Sequence, residues 1–202
     1  MEKDSRIRLI EAATPLFAQK GFAGVSIREL AEAAGVNSAL ISYHFGGKEG
    51  LYEAVLEGQF APVANAINAA GSFELSPSER IAYYAKAVNA AHKQSPYLIR
   101  FMHGEMINPT ICFETVVKKY IGKIFGLLTT AFVDGVAAGQ FNPDFNPAQA
   151  AISLAGIMNF YFLAKPVFQS FLPLNYECNN DEKYLTQALN IYLNGVRRIN
   201  YE

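Results

Sequence analysis

Apolar residues recur at three- and four-residue spacing along most of the chain, and nowhere do they alternate as a strand would. The clearest period lies between Ser26 and Leu51. Ile27, Leu30, Ala31 and Ala34 form one apolar face, and Leu40, Ile41 and Phe45 supply a second. Ser26 and Glu29 stand in capping-box register, so each side chain can satisfy an N–H at the other's end. Gly35 sits where a left-handed residue takes the chain out of a helix. Asn37 or Ser38 can then cap the next helix, expected over about Ser38–His44. A short helix, a glycine turn and a second short helix make the helix-turn-helix unit, whose second helix enters the DNA major groove.

The same punctuation divides the rest. A first helix is expected from about Asp4 to Lys20, ended by Gly21. Pro15 inside it removes one backbone hydrogen bond, a cost of ~3 kcal/mol in an ordinary helix interior, so a distortion is expected there. A fourth helix starts near Lys48 and runs past Phe60, where Pro62 can bend it. Ser76-Pro77 and Ser95-Pro96 each open a helix with proline at the first position. Asn108-Pro109-Thr110 breaks the chain, and a long apolar helix is expected from Phe113 to Ala138. Asn146-Pro147 opens another, to about Leu172, and Asp181 opens the last. The expected fold class is all-α: a helix-turn-helix domain over 1–50 and a larger helical effector-binding and dimerisation domain over 51–202.

In residues and order, the N-terminal stretch resembles the DNA-binding domain of TetR/AcrR-family transcriptional regulators. Ala12, Ala13, Leu16, Phe17, Gly21 and Phe22 carry the resemblance in the first helix and its exit. Ser26, Ile27, Ala31, Ala34, Gly35, Val36, His44, Phe45, Lys48, Glu49 and Leu51 continue it. It covers roughly residues 5–55, about a quarter of the chain. The resemblance implies that Asn37, Ser38, Ala39, Ser42, Tyr43 and His44 face the major groove. By position, Ser38 and Ala39 are the base readers: alanine can meet a thymine methyl, and a serine hydroxyl suits most base edges. Ser42, Tyr43 and His44 match positions that touch phosphates or adjacent bases. Many relatives carry tyrosine where this chain has Ser42, so Tyr43 is expected to take over that contact. Lys48 at a helix start and Arg28 are candidate phosphate clamps.

Charge tempers this picture. The 202 residues carry a net charge of −1, and residues 1–60 hold six Lys/Arg against eight Asp/Glu. Strong non-specific affinity for DNA is therefore not expected. A domain can still gather Lys3, Arg6, Arg8, Arg28 and Lys48 on one face while Glu11, Glu32, Glu53 and Glu57 point elsewhere. The charged N-terminus does not read as a signal peptide. Phe145–Ala164 carries no charge and is long enough to span a bilayer. Interrupting polar residues favour a buried helix of a soluble bundle, in a cytoplasmic protein without a membrane partner. Cys112 and Cys178 lack metal-type spacing and fit reduced thiols.

No catalytic constellation emerges, so the protein is not expected to be an enzyme. Gly46-Gly47-Lys48 lacks the first glycine and the final Ser or Thr of a phosphate loop. His44, His92 and His103 have no paired helical spacing, and no metal or cofactor is expected. The second half is rich in side chains suited to a pocket. The resemblance implies a small, largely hydrophobic effector there, with Phe101, Met102, Glu105, Met106, Phe125 and Tyr161 as candidate contacts. Glu105 among apolar neighbours is costly to bury without a partner. It is either a polar anchor for an effector's polar or cationic group, or a surface or capping residue. Glu105–Thr110 also resembles a Glu-Met-x-x-Pro-Thr segment of one subgroup of the family.

One helix-turn-helix reads too few base pairs for high specificity, so a homodimer on a double-stranded, pseudo-palindromic operator is expected. The apolar stripes of the last two helices suit a four-helix bundle with a second subunit, through Ala151, Ala155, Leu185, Leu189, Tyr192 and Val196. Together these readings describe a repressor released from DNA by its effector. The alternative is a small-molecule-binding helical protein without specific DNA binding.

Overall fold

In the computed structural model, residues 2–69, 74–171 and 181–197 are described. Nine α-helices are found among them: α1 (Glu2–Lys20), α2 (Ile27–Ala34), α3 (Ala39–Phe45), α4 (Lys48–Ala69), α5 (Pro77–Gln94), α6 (Leu98–Ile107), α7 (Lys118–Ala137), α8 (Pro147–Phe171) and α9 (Asp181–Val196). A π-helical turn, Phe113–Val117, leads into α7. Among the described residues no strand forms; a single isolated bridge pairs Phe141 with Arg197. Leu172, Cys178 and the side chain of Lys3, all named in the expectations above, lie outside what is described.

The chain divides into two compact units, one of residues 1–62 and 95–120, the other of 63–94 and 121–202. In the first, α1 packs against α2, α3 and α6. Leu9, Ala13 and Phe17 are its buried stripe, and α1 runs unbroken through Pro15. An aromatic cluster centres on Tyr52 of α4. Its ring lies 4.9 Å from Phe17 edge-on, 5.0 Å from Phe22 and 6.2 Å from Phe101.

Tyr52 also carries the polar centre of this core. Its hydroxyl donates to the Glu105 carboxyl at 2.7 Å, and both Thr110 groups, N–H and Oγ1–H, donate to the same carboxyl at 3.0–3.1 Å. Glu105 is 1% exposed. Burying a carboxyl group is tolerable because its oxygens are supplied with donors. Burial, then acceptance by Glu105, pushes the Tyr52 phenol well above its ordinary value. Cys112 beside this group is buried, and its thiol is pushed up to about 11, mainly by burial.

In the second unit α5, α8 and α9 pack on one another. Ile81, Ala131, Phe132, Leu154, Met158 and Leu185 fill the interior. At the end of α7, the Phe141 ring lies so close to Gly135 that a Cβ there would fall 2.1 Å from it. The Tyr192 hydroxyl donates to the Ala150 carbonyl at 2.6 Å, tying α9 to α8. Of the stripe expected to face a second subunit, four residues are covered within the protomer. Ala151, Leu185, Tyr192 and Val196 are in the protomer's own interior, and Ala155 and Leu189 are half-buried. A helical stripe reveals that a face is apolar but not which neighbour covers it, and here α5 and α8 cover it. α8 is also less buried than its composition suggests. It covers Ala151, Leu154, Met158 and Tyr161 on one side and exposes Ile152, Phe160, Val167 and Phe171 on another.

His92 of α5 stacks on Phe162 at 3.9 Å, and its Nε2 lies 3.1 Å from Asn159 Oδ1. Burial holds this imidazole below its ordinary pKa of 6.5, outweighing the opposing pull of Asn159 and Asp181.

Two outcomes are expected. Glu105→Ala leaves the Tyr52 hydroxyl and the Thr110 N–H without a partner, so urea unfolding should show a loss of roughly 2–4 kcal/mol. Tyr52→Phe, made in the Glu105→Ala background, should cost far less than in the wild type. For His92 the sign follows from linkage. Above pH 6.5 both folded and unfolded imidazoles are neutral, and stability is unaffected. Below it the unfolded chain binds a proton that the folded chain resists, so stability falls. Thermal melts from pH 7.5 to 5.5 should therefore drop more steeply for the wild type than for His92→Gln. Equal slopes would remove His92 as the cause.

Candidate nucleic-acid interface and ligand cavity

The helix-turn-helix forms from local caps. The Ser26 Oγ accepts from the Glu29 N–H at 3.1 Å. The Glu29 carboxyl pairs with Lys20, and this contact and the Ser26 N–H hold it below the usual carboxylate range. Gly35 leaves α2 in the left-handed region at φ 62°, while the Val36 N–H bonds to the Ala31 carbonyl at 3.0 Å. Of the two candidate caps for α3, Asn37 is the one that acts, its Oδ1 accepting from the Ala39 N–H at 2.8 Å. Ser38 makes no such bond and stays exposed.

Ile41 is the buried anchor of α3, at 0% exposure. Opposite it, Asn37, Ser38, Ala39, Ser42 and Tyr43 are exposed, Tyr43 to 67%. An exposed phenol on a two-turn helix is unusual in a core element and is where a partner can reach it. His44 is half-buried, and its Nε2 lies 2.9 Å from Ser5 Oγ. The Arg6 guanidinium lies 5.2 Å over the Phe45 ring. Both contacts fasten α3 to α1. Lys48 opens α4 with its ammonium 4.5 Å over the Phe22 ring. Arg28 is largely in solvent with Glu32 at 2.7 Å, an exposed pair of the kind worth a few tenths of a kcal/mol.

The residues expected to meet an effector divide between the units. In the first, Phe101 is core and Glu105 is satisfied by Tyr52 and Thr110, whereas Met106 is 62% exposed and Met102 half-buried. The Glu105–Thr110 segment closes on itself through these bonds, which makes Glu105 a structural acceptor here. In the second, Phe125 is half-buried. Tyr161 stacks on Tyr184 at 4.0 Å and donates to Asp181 at 2.8 Å, at the start of α9.

The second unit instead holds a cavity of about 400 Å³ that these residues do not line. Its walls are the end of α4 (Ala64, Ile67), α5 (Arg80, Tyr84) and α7 from Gly122 to Ala131. The volume falls within the range of small-molecule sites. Gly122 and Gly126 lie one turn apart on α7, and a Cβ built at either meets nothing within 4 Å. Each glycine costs about 1 kcal/mol relative to alanine within a helix. A search of the sequence for large apolar side chains passes over this site, because the space is made by their absence. The spaced glycines of α7 are the signal that marks it.

Comparison with known proteins agrees with this architecture. The sequence profile described as "Bacterial regulatory proteins, tetR family" matches residues 9–55, the segment from α1 into α4. The probable HTH-type transcriptional regulator YttP of Bacillus subtilis is 30% identical over 125 residues, 61% of this chain and 60% of that protein. The HTH-type transcriptional repressor NicS of Pseudomonas putida is 24% identical over 198 residues, 96% of this chain and 93% of that protein. Among solved structures, the ketosteroid transcriptional regulator KstR2 of Mycobacterium tuberculosis shares the fold. Its TM-score is 0.77 at 19% identity, covering 96% of this chain and 95% of that one. With its capped α2–turn–α3 unit and its profile match, the segment 9–55 is a helix-turn-helix domain of the tetR-family type, and the all-helical fold of the chain is shared with KstR2.

Proposed function

We propose that the protein is a homodimeric, cytoplasmic repressor that binds a pseudo-palindromic operator and is released by a small effector. The exposed outer side of α3 is the observation that carries this reading. Ser38, Ala39, Ser42 and Tyr43 stand clear of the core while Ile41, His44 and Phe45 hold the helix in place. Ser38 and Ala39 read base edges. Tyr43 and Lys48 hold phosphates, the latter together with the N-terminus of α4. Arg28 can leave Glu32 at small cost to reach a third. Repression is supported by the likeness to NicS, itself named a repressor.

The second subunit docks on the apolar surface left exposed by α8 and α9. Ile152, Phe160, Val167 and Phe171 of α8 and Ile191 of α9 are each more than half exposed. By length and composition α8 also suits a membrane span. The subunit reading accounts better for its side buried on α9, because a dimer covers only the remaining face. The effector occupies the cavity of the second unit. It shifts the protein toward a state with lower DNA affinity, a coupling of ~1–3 kcal/mol that DNA must return equally.

Two experiments test this. Duplexes selected from a random pool should converge on an inverted repeat. On that duplex Tyr43→Ala should weaken binding roughly tenfold, and Lys48→Ala should lower the salt slope by about one. A pool that never enriches a sequence would favour the alternative, a ligand-binding helical protein without specific DNA recognition. Separately, sedimentation should give a dimer at micromolar concentration. Phe160→Asp should give a monomer with unchanged helical content, because the side chain is outside the core. A wild-type monomer would refute the assembly.

A further inference from the structure

The cavity between the end of α4, α5 and α7 has a chemistry that narrows its occupant. Two cations, Arg80 and Lys123, lie in its lining, and no carboxylate does among the described residues. Arg80 gives one terminal nitrogen to Asp134 on α7 at 2.5 Å. Its Nε is buried and has no hydrogen-bond partner among the described residues. A buried donor left unmet on a guanidinium is uncommon, and an acceptor arriving from the cavity would satisfy it. The Tyr84 hydroxyl, also in the lining, accepts from Asn159 at 3.3 Å.

The opposite character lies along α7. Leu127, Leu128 and Ala131 join Ile67 of α4 as apolar wall. The bare backbone at Gly122 and Gly126 extends the space, since a side chain at either would meet only emptiness. A cavity of about 400 Å³ has room for roughly a dozen non-hydrogen atoms at the ~30 Å³ that a water-sized atom occupies in a liquid. A cationic amine would meet two like charges there, and a plain hydrocarbon would leave the Arg80 donor unmet.

We infer that this cavity takes an amphiphilic anion: an apolar body of roughly ten carbons, as that volume allows, ending in a carboxylate or phosphate held by Arg80 and Lys123. The inference rests on the proposal that the second unit carries the effector, and it specifies the class of that effector. It departs from the sequence-based expectation of a cationic group on Glu105, because Glu105 already has protein donors around it. The apolar body lies along the glycine face of α7, and the head group completes the guanidinium's hydrogen bonds.

Calorimetric titration of the full-length protein without DNA tests this, using decanoate, decyl phosphate, decanol and decylamine. At least one of the two anions should bind ten times more tightly or better than both decanol and decylamine, and the stronger of the two identifies the head group. Gly126→Leu, which fills the space and favours the helix, should weaken that anion at least tenfold without lowering the melting temperature. Arg80→Gln should weaken the anion but leave decanol unchanged. Equal binding of anion and alcohol overturns the inference, as does anion binding that Gly126→Leu leaves intact. The regulatory reading fails separately. If the anion binds as expected and the selected duplex keeps its affinity, release by effector is wrong while the site stands. If decanol displaces the duplex and neither anion binds, the site's chemistry is wrong while release stands.

Discussion

Seven residues make two turns of helix, and a helix that short does not persist in water on its own sequence. Whatever α3 does therefore depends on how it is held. Ile41 is fully buried beneath it, Ser5 of α1 meets His44, and Arg6 lies over Phe45. Asn37 satisfies the first free N–H, and the Gly46 N–H closes the last turn on the Ser42 carbonyl at 2.9 Å. The contacts come from one side, so the other side is left in solvent. A helix held by tertiary contacts on one face can present small and polar residues on the other without losing its shape.

The polar centre of the first unit fixes position in a related way. Glu105, Tyr52 and Thr110 bring together α4, α6 and the turn after it, with α4 far from the other two in sequence. An apolar substitute would cost nothing in desolvation, but it would not fix which rotamer and register the aromatic cluster adopts. With the Tyr52 ring packed against Phe17, Phe22 and Phe101 and its hydroxyl fixed to one carboxyl, the cluster has a defined arrangement.

Helix boundaries are legible in the sequence at most of the local devices, although Ser95-Pro96, expected to open a helix at its proline, precedes α6, which begins at Leu98. Ser26 with Glu29, Gly35, Asn37, Ser76-Pro77 and Asn146-Pro147 act within a few residues of themselves, and each stands at the helix end where spacing puts it. Which surface faces what is not legible. The stripe of α9 is as apolar as a subunit interface but belongs to the protomer's interior, because the preceding helix α8 and the distant α5 pack on it, an arrangement that spacing cannot locate. The cavity is hidden for the opposite reason: its walls at Gly122 and Gly126 are marked by residues that contribute no side chain. Of the candidate interface, the positions on α3 are recoverable from order alone. The ties of His44 to α1 and of Lys48 to Phe22 are not, since both join segments that only the folded chain brings together.

Electrostatics bears on the choice between a DNA-binding and a purely ligand-binding protein. The acidic excess of residues 1–60 argues against DNA only if those carboxyls face the phosphates unscreened. Within the first unit three of them have cationic partners: Glu29 with Lys20, Glu32 with Arg28, and Glu57 with Lys119, with Tyr120 donating to Glu57 as well. Lys119 lies beyond residue 60, so a count that stops there misses a charge that the fold supplies. The pair on α2 is the informative one. Arg28 and Glu32 are both largely in solvent, and separating them costs a few tenths of a kcal/mol. A charge-assisted bond from arginine to a phosphate returns more than that, with counterion release added. In the proposed complex an exposed pair of this kind would keep the free protein's surface near neutral and would yield its arginine to a phosphate brought within reach. Low overall charge is then compatible with tight specific binding, with the selectivity carried by the fit of α3 rather than by the protein's net field.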